Sequence, residues 1–129
     1  MTRQTFMSLA AAVSVVSGLA ALFAPAQLVA VFGITLDDMG IVQERLLGVA
    51  YLGYGAIAWF GKDVQDIAAR RAIALGNFVS WALSAVVTIA GIAIVPAGTL
   101  AWVLVALQVV FATAWAYFAF ADRAEVAST

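Results

Sequence analysis

The chain contains no cysteine and no histidine. Those two absences exclude a Cys/His zinc site, a disulfide, an iron–sulfur cluster and a His-ligated haem or chlorophyll, and they remove imidazole acid–base chemistry. Charge is nearly as scarce. Only 6 Lys+Arg and 7 Asp+Glu occur in 129 residues, 10% of the chain, where a soluble globular domain carries about a quarter. A soluble domain of this length has to cover its surface with far more charge, so a free cytosolic enzyme is excluded. The net charge of −1, the pI near 5.0 and the lack of any basic cluster larger than Arg70 with Arg71 leave no electrostatic footprint for nucleic acid. No catalytic residue, metal or cofactor is expected.

What the chain has instead is apolar length: 66% hydrophobic residues and a mean hydropathy of +1.09. A helix needs about 20 apolar residues to cross the hydrocarbon core. Runs of that length fall at about 6–24, 39–61, 72–95 and 99–121; the first stops at Pro25, the third at Pro96 and the fourth at Asp122 and Arg123, and the second holds Glu44 and Arg45 in its opening turns. The turn at 96–98 is too short for anything but antiparallel neighbours, and Asp66 stands four residues before Arg70, a helix-supporting pair within the polar link 62–71. Between the first two runs, 25–38 is apolar but too short to span. It reads as a short interfacial helix from Pro25 to about Phe32, a stop at Gly33, and a cap on the next helix from Asp37 or Asp38. The expected fold is all-α: one integral membrane domain over 1–129, an antiparallel four-helix bundle with that interfacial helix between spans one and two. Arg3, the first run and Ala24-Pro25-Ala26 also resemble a cleavable signal, but the run has the length of a full span and is read as one.

Helical periodicity places small and polar residues in stripes. On the third span Asn77, Ser80, Trp81, Ser84, Thr88 and Gly91 share an arc of about 100° at 100° per residue. The second span aligns Glu44, Gly48, Tyr51, Gly55, Ala58 and Lys62; the fourth aligns Ala101, Leu104, Gln108, Ala112, Trp115 and Ala119; the first aligns Ser14, Ser17, Gly18 and Ala21. In lipid, small residues let helices approach and polar groups bond between them, so the stripes are expected to face one another.

Glu44, Tyr51, Thr88 and Gln108 are the ligand-binding candidates. Glu44 is the one carboxylate expected on a buried face inside a span, and an intramembrane ionisable group is a functional-site hypothesis by default. The competing reading makes it an outer cap bonded to Arg45 or Gln108. Tyr51 needs a hydroxyl partner near the midplane and so suits the border of a polar cavity. Thr88 and Gln108 are equally readable as helix–helix glue, as are Asn77, Ser80 and Ser84. Trp81 and Trp115 fill space between helices, or offer a stacking surface to a pigment or quinone.

The stretch Leu22-Phe23-Ala24-Pro25, then Val31-Phe32-Gly33-Ile34 and Leu36-Asp37, with Glu44-Arg45-Leu46-Leu47-Gly48 opening the second span, resembles small bacterial four-helix membrane proteins of unknown function, loosely those of the DoxX group. The resemblance covers nearly the whole chain and carries over no activity. It implies a bacterial inner-membrane location and a structural role for Gly33, Arg45 and Gly48 in holding the outer loop against the bundle. Small multidrug exporters carry an acid in the middle of the first span, which is absent here, and sterol-isomerase-like proteins use paired acids where this chain has Glu44 alone. Two main functional expectations stay open: a non-catalytic accessory or assembly subunit of a larger inner-membrane complex, and a carrier or binder of a small lipophilic ligand such as a lipid, quinone or pigment. A proton-coupled small transporter is the third. Partners are membrane lipids and other membrane subunits or further copies of the chain.

Arg3, Lys62, Arg70, Arg71 and Arg123 fall on one side of such a bundle and Arg45 on the other, which puts both termini and 62–71 in the cytoplasm and 25–38 outside. The cysteine-free background makes this directly checkable: single Thr2→Cys and Gln65→Cys variants are expected to resist an impermeant thiol reagent in sealed cells, and Ala97→Cys to react. Labelling of Gln65→Cys from outside reverses the assignment.

Overall fold

The computed structural model describes residues 1–95 and 97–127, the last six of these as backbone alone, and every regular element among them is a helix. The elements are α1 (Arg3–Phe23), α2 (Pro25–Ala30), α3 (Asp38–Gly61), α4 (Ile67–Ile94) and α5 (Leu100–Ala127). Local chemistry sets their ends. The Thr2 hydroxyl accepts from the Thr5 amide at 3.2 Å to open α1. Pro25 takes the first position of α2, where its missing N–H goes unneeded. The α2 helix is shorter than the expected run to Phe32: it ends at Ala30, and a turn carries the chain to Gly33, whose φ of 78° is a left-handed conformation that side chains resist. Asp37 caps α3 through a 2.7 Å bond from the Gly40 amide.

The polar link before α4 is also shorter than its composition suggests. Asp66 caps the helix by accepting from the Ala69 amide at 2.7 Å, so Arg70 and Arg71 lie inside α4, which begins at Ile67 and not near residue 72. The expected Pro96 stop and the Arg123 side chain lie outside the described residues. Among the described residues three helices are long and apolar enough to cross a membrane: α1, α4 and the 100–121 portion of α5. With 24 residues α3 is long enough, but its charges at Asp38, Glu44 and Arg45 and its five glycines keep it out of that set.

The long helices pack as two antiparallel pairs. In the first, α1 and α3 touch backbone to backbone: a Cβ added to Gly18 would lie 2.8 Å from the Gly48 carbonyl oxygen, and one added to Gly48 would lie 2.8 Å from that of Gly18. Gly55 repeats the approach against Val15 and the Ala11 carbonyl. The second pair is α4 with α5. Large rings join the pairs at one end, where Phe6 of α1 meets the edge of Trp115 at 4.9 Å and packs on Phe111 and Phe118 of α5, while Trp81 of α4 stacks on Phe111 at 4.8 Å. Trp115 and Met7 are the largest side chains sealed in this core.

Two ties close the ends. The Arg3 guanidinium donates to the carbonyls of Lys62 (3.3 Å) and Val64 (2.9 Å), and Gln4 donates to the Asp63 carboxylate at 3.1 Å, which fixes the start of α1 to the α3–α4 link. At the opposite end the Gly98 amide donates to the Phe32 carbonyl at 2.7 Å and joins the two remaining loops.

Because backbone atoms, and not flexible side-chain ends, face Gly48, a methyl group there forces the helices apart. We expect Gly48→Ala to lower stability by about 1–3 kcal/mol in detergent unfolding. Gly53→Ala, where an added Cβ meets nothing within 4 Å, is the matched control and is expected to hold stability or raise it by up to about 1 kcal/mol, alanine being the better helix former.

Candidate functional site

The small and polar stripes are not all used alike. Ser14, Gly18 and Ala21 of α1, Gly48, Gly55 and Ala58 of α3, and Ala101, Gln108, Ala112, Trp115 and Ala119 of α5 are buried. On α4 the buried positions are Ala74, Asn77 and Ala85, while Ser80, Ser84, Thr88 and Gly91 are only half-buried. The polar arc of α4 is thus turned partly away from the core, toward α3. Since α3 is held by α1, it does not close on α4, and a groove of about 600 Å³ runs between them.

Leu47, Tyr51 and Tyr54 of α3 form one wall, and the ring centroids of the two tyrosines lie 6.5 Å apart, edge to face. The other wall is α4, where Gly76, Ser80, Ser84 and Thr88 recur every fourth residue between larger apolar residues such as Leu83 and Val87. Those last two are 59% and 69% exposed, so the groove opens on the outer surface of the helix layer. Gln108 reaches it from α5.

Gln108 is the most tightly enclosed polar group of this region, at 3% exposure. Its Nε2 donates to Thr88 Oγ1 at 3.1 Å, and the Thr88 hydroxyl in turn donates to the Ser84 carbonyl at 2.8 Å. The chain of donors ends there. Among the described residues the buried Gln108 Oε1 has no hydrogen-bond partner, a situation that costs about 1–3 kcal/mol for a buried acceptor. The groove offers hydroxyls and an amide but no carboxylate, which suits reversible hydrogen bonding to a ligand.

Of the four ligand-binding candidates, the structure brings Tyr51, Thr88 and Gln108 together on the groove and leaves Glu44 out of its walls. Glu44 is half-buried two helical turns from Tyr51, about 10 Å along the axis at 1.5 Å per residue, and among the described residues it bonds neither Arg45 nor Gln108. Arg45 is exposed, and among the described residues it forms no hydrogen bond to the 25–38 loop. That loop is held by Gly33 in its left-handed turn and by the Gly98 amide. Asn77 is buried but returns its amide to the Ile73 carbonyl of its own helix at 2.9 Å, so it does not bridge helices through that bond. Ser84 contributes its carbonyl to the Thr88 bond and a face to the groove. Trp81 and Trp115 spend their rings on Phe111 and Phe6 inside the protein. Tyr54 and Gly76 were not singled out by the stripes; the four-residue recurrence from Gly76 to Thr88 is the signal that points to Gly76. Among the described residues no group of three acidic, histidine or cysteine side chains could hold a metal ion. Comparison with protein-family models, with curated proteins and with solved structures finds no match to this chain.

Since Glu44 stands outside the groove and has no hydrogen-bond partner among the described residues, Glu44→Gln is expected to change unfolding free energy by no more than about 0.5 kcal/mol and to leave any small molecule that co-purifies with the protein unchanged. A folded Glu44→Gln variant that loses it assigns the carboxylate a direct role.

Proposed function

We propose that the chain is a multi-pass protein of the bacterial inner membrane, an antiparallel four-helix bundle in which α3 is the fourth span and α2 lies in the outer interface, with both termini and 62–71 in the cytoplasm. Its work is binding and not catalysis: the α3–α4 groove takes up a small lipophilic molecule (a lipid, quinone or pigment) from the bilayer. The antiparallel contact of α3 with α1, from Gly48 at Gly18 to Gly61 at Met7, supports the fourth span, because a helix aligned with a spanning helix over that length shares its depth. The half-buried Leu28 and Val29 beside exposed Gln27 support an interfacial α2.

The groove carries the functional reading. Its volume lies within the roughly 300–1,000 Å³ of small-molecule sites, and like them it has apolar walls with a few convergent polar groups. A second reading, an accessory or assembly subunit, is favoured by the small-residue row itself. A Cβ built on Gly76 meets nothing within 4 Å, and an uncovered row of this kind can receive a helix of another subunit or a second copy.

Mass spectrometry of the intact protein released from native membranes separates the two. One small molecule at fixed stoichiometry supports the binder, and a larger complex with no small molecule supports the subunit. Gly76→Phe places a ring at the groove where an added Cβ meets nothing within 4 Å, and it is expected to hold stability within about 0.5 kcal/mol while the carried molecule is lost; its full retention places the ligand elsewhere.

A further inference from the structure

The groove has a polarity along its length. From Gly76 to Thr88 the α4 wall runs about 18 Å at 1.5 Å per residue, and the bonded amide–hydroxyl pair of Gln108 and Thr88 stands at one end only. At that end the hydrogen-bonding capacity is uneven. The Gln108 Nε2 is engaged, the Thr88 proton is committed to the Ser84 carbonyl, and among the described residues Gln108 Oε1 is an acceptor without a donor. In a hydrocarbon surrounding such an acceptor has no bulk water to fall back on.

We propose that the groove selects amphiphiles that present an O–H or N–H donor at the end of a single elongated apolar body, and that Gln108 Oε1 accepts that donor. The inference rests on the binding reading above and adds the chemistry of the ligand. A donor arriving past Thr88 satisfies the buried carbonyl, whereas an ether, an ester or a plain hydrocarbon of the same shape leaves it unpaired, and a site built around a buried polar group discriminates most strongly against the analogue that cannot pair with it. Alcohols, amides and reduced quinols fit this requirement; fully oxidised quinones, which only accept, do not.

The test uses the full chain in phosphatidylcholine nanodiscs and two photoactivatable probes, a hexadecanol with a mid-chain diazirine and its methyl ether, with crosslinks mapped by peptide mass spectrometry. The alcohol is expected to label the peptides holding Tyr51 and Ser84 at least about tenfold more than the ether, and Gln108→Leu is expected to bring alcohol labelling down to the ether level with an unchanged thermal midpoint. Equal labelling of the groove by alcohol and ether overturns donor selection while leaving groove binding standing, and a bound water alone at Oε1 gives that result. Absence of labelling in the groove by either probe overturns the binding reading as well. The comparison of the two probes on the unmodified protein decides the matter even if Gln108→Leu fails to fold.

Discussion

The contact on which the rest of the architecture depends is the backbone approach of α1 and α3 at Gly18 and Gly48, where neither helix has room for a side chain. Van der Waals contact between small residues is what holds helices together in lipid, where hydrophobic burial gives no advantage between one apolar surface and another. By drawing α3 onto α1 this contact decides what α3 does not touch. The opposite pair, α4 with α5, meets the first through rings at the Phe6 end, and bulky aromatic side chains hold helices farther apart than glycines do. Two helix pairs, one closed by a glycine seam and joined to the other by an aromatic one, do not meet evenly along their length. The α3–α4 groove is the resulting gap.

Much of this was legible from the residues. Pro25, Gly33 and Asp37 punctuate the chain through local chemistry that depends on nearest neighbours alone, and they act at the positions the sequence indicates. The start of α4 was obscured because two arginines and an aspartate read as a polar link, whereas Asp66 turns its carboxylate into a cap and brings both arginines into the helix. The stripes on α1 and α5 mark largely buried faces, whereas that on α3 is buried at Gly48, Gly55 and Ala58 and half-buried at Glu44, Tyr51 and Lys62, and that on α4 is buried only at Asn77. Periodicity tells which residues of a helix share a face; it does not tell whether the neighbour on that face closes the distance, and that distance is set by glycines on another pair of helices.

The same limit governed the candidate site. Tyr51, Thr88 and Gln108 were visible as polar residues in apolar helices, and they share one groove. Glu44, the most conspicuous residue by chemical character, lies outside it, because its prominence came from its charge and not from its position. The unpaired Oε1 of Gln108 has no signature in sequence at all, since it depends on how the Thr88 hydroxyl is already committed, and so does the Gly98 bond to Phe32, which joins loops that are distant in the chain.

The Arg3 tie also orders the birth of the molecule. Its acceptors, the carbonyls of Lys62 and Val64, lie 59 and 61 residues farther along the chain. At about 5–20 residues per second of synthesis, the first helix exists for several seconds before the carbonyls that anchor its end have been made, and until Gly48 has been added its glycine face has no partner either. Docking of α1 is therefore timed by the emergence of α3, and a ribosome stalled between Gly48 and Val64 would leave the glycine seam without the tie that locks its end.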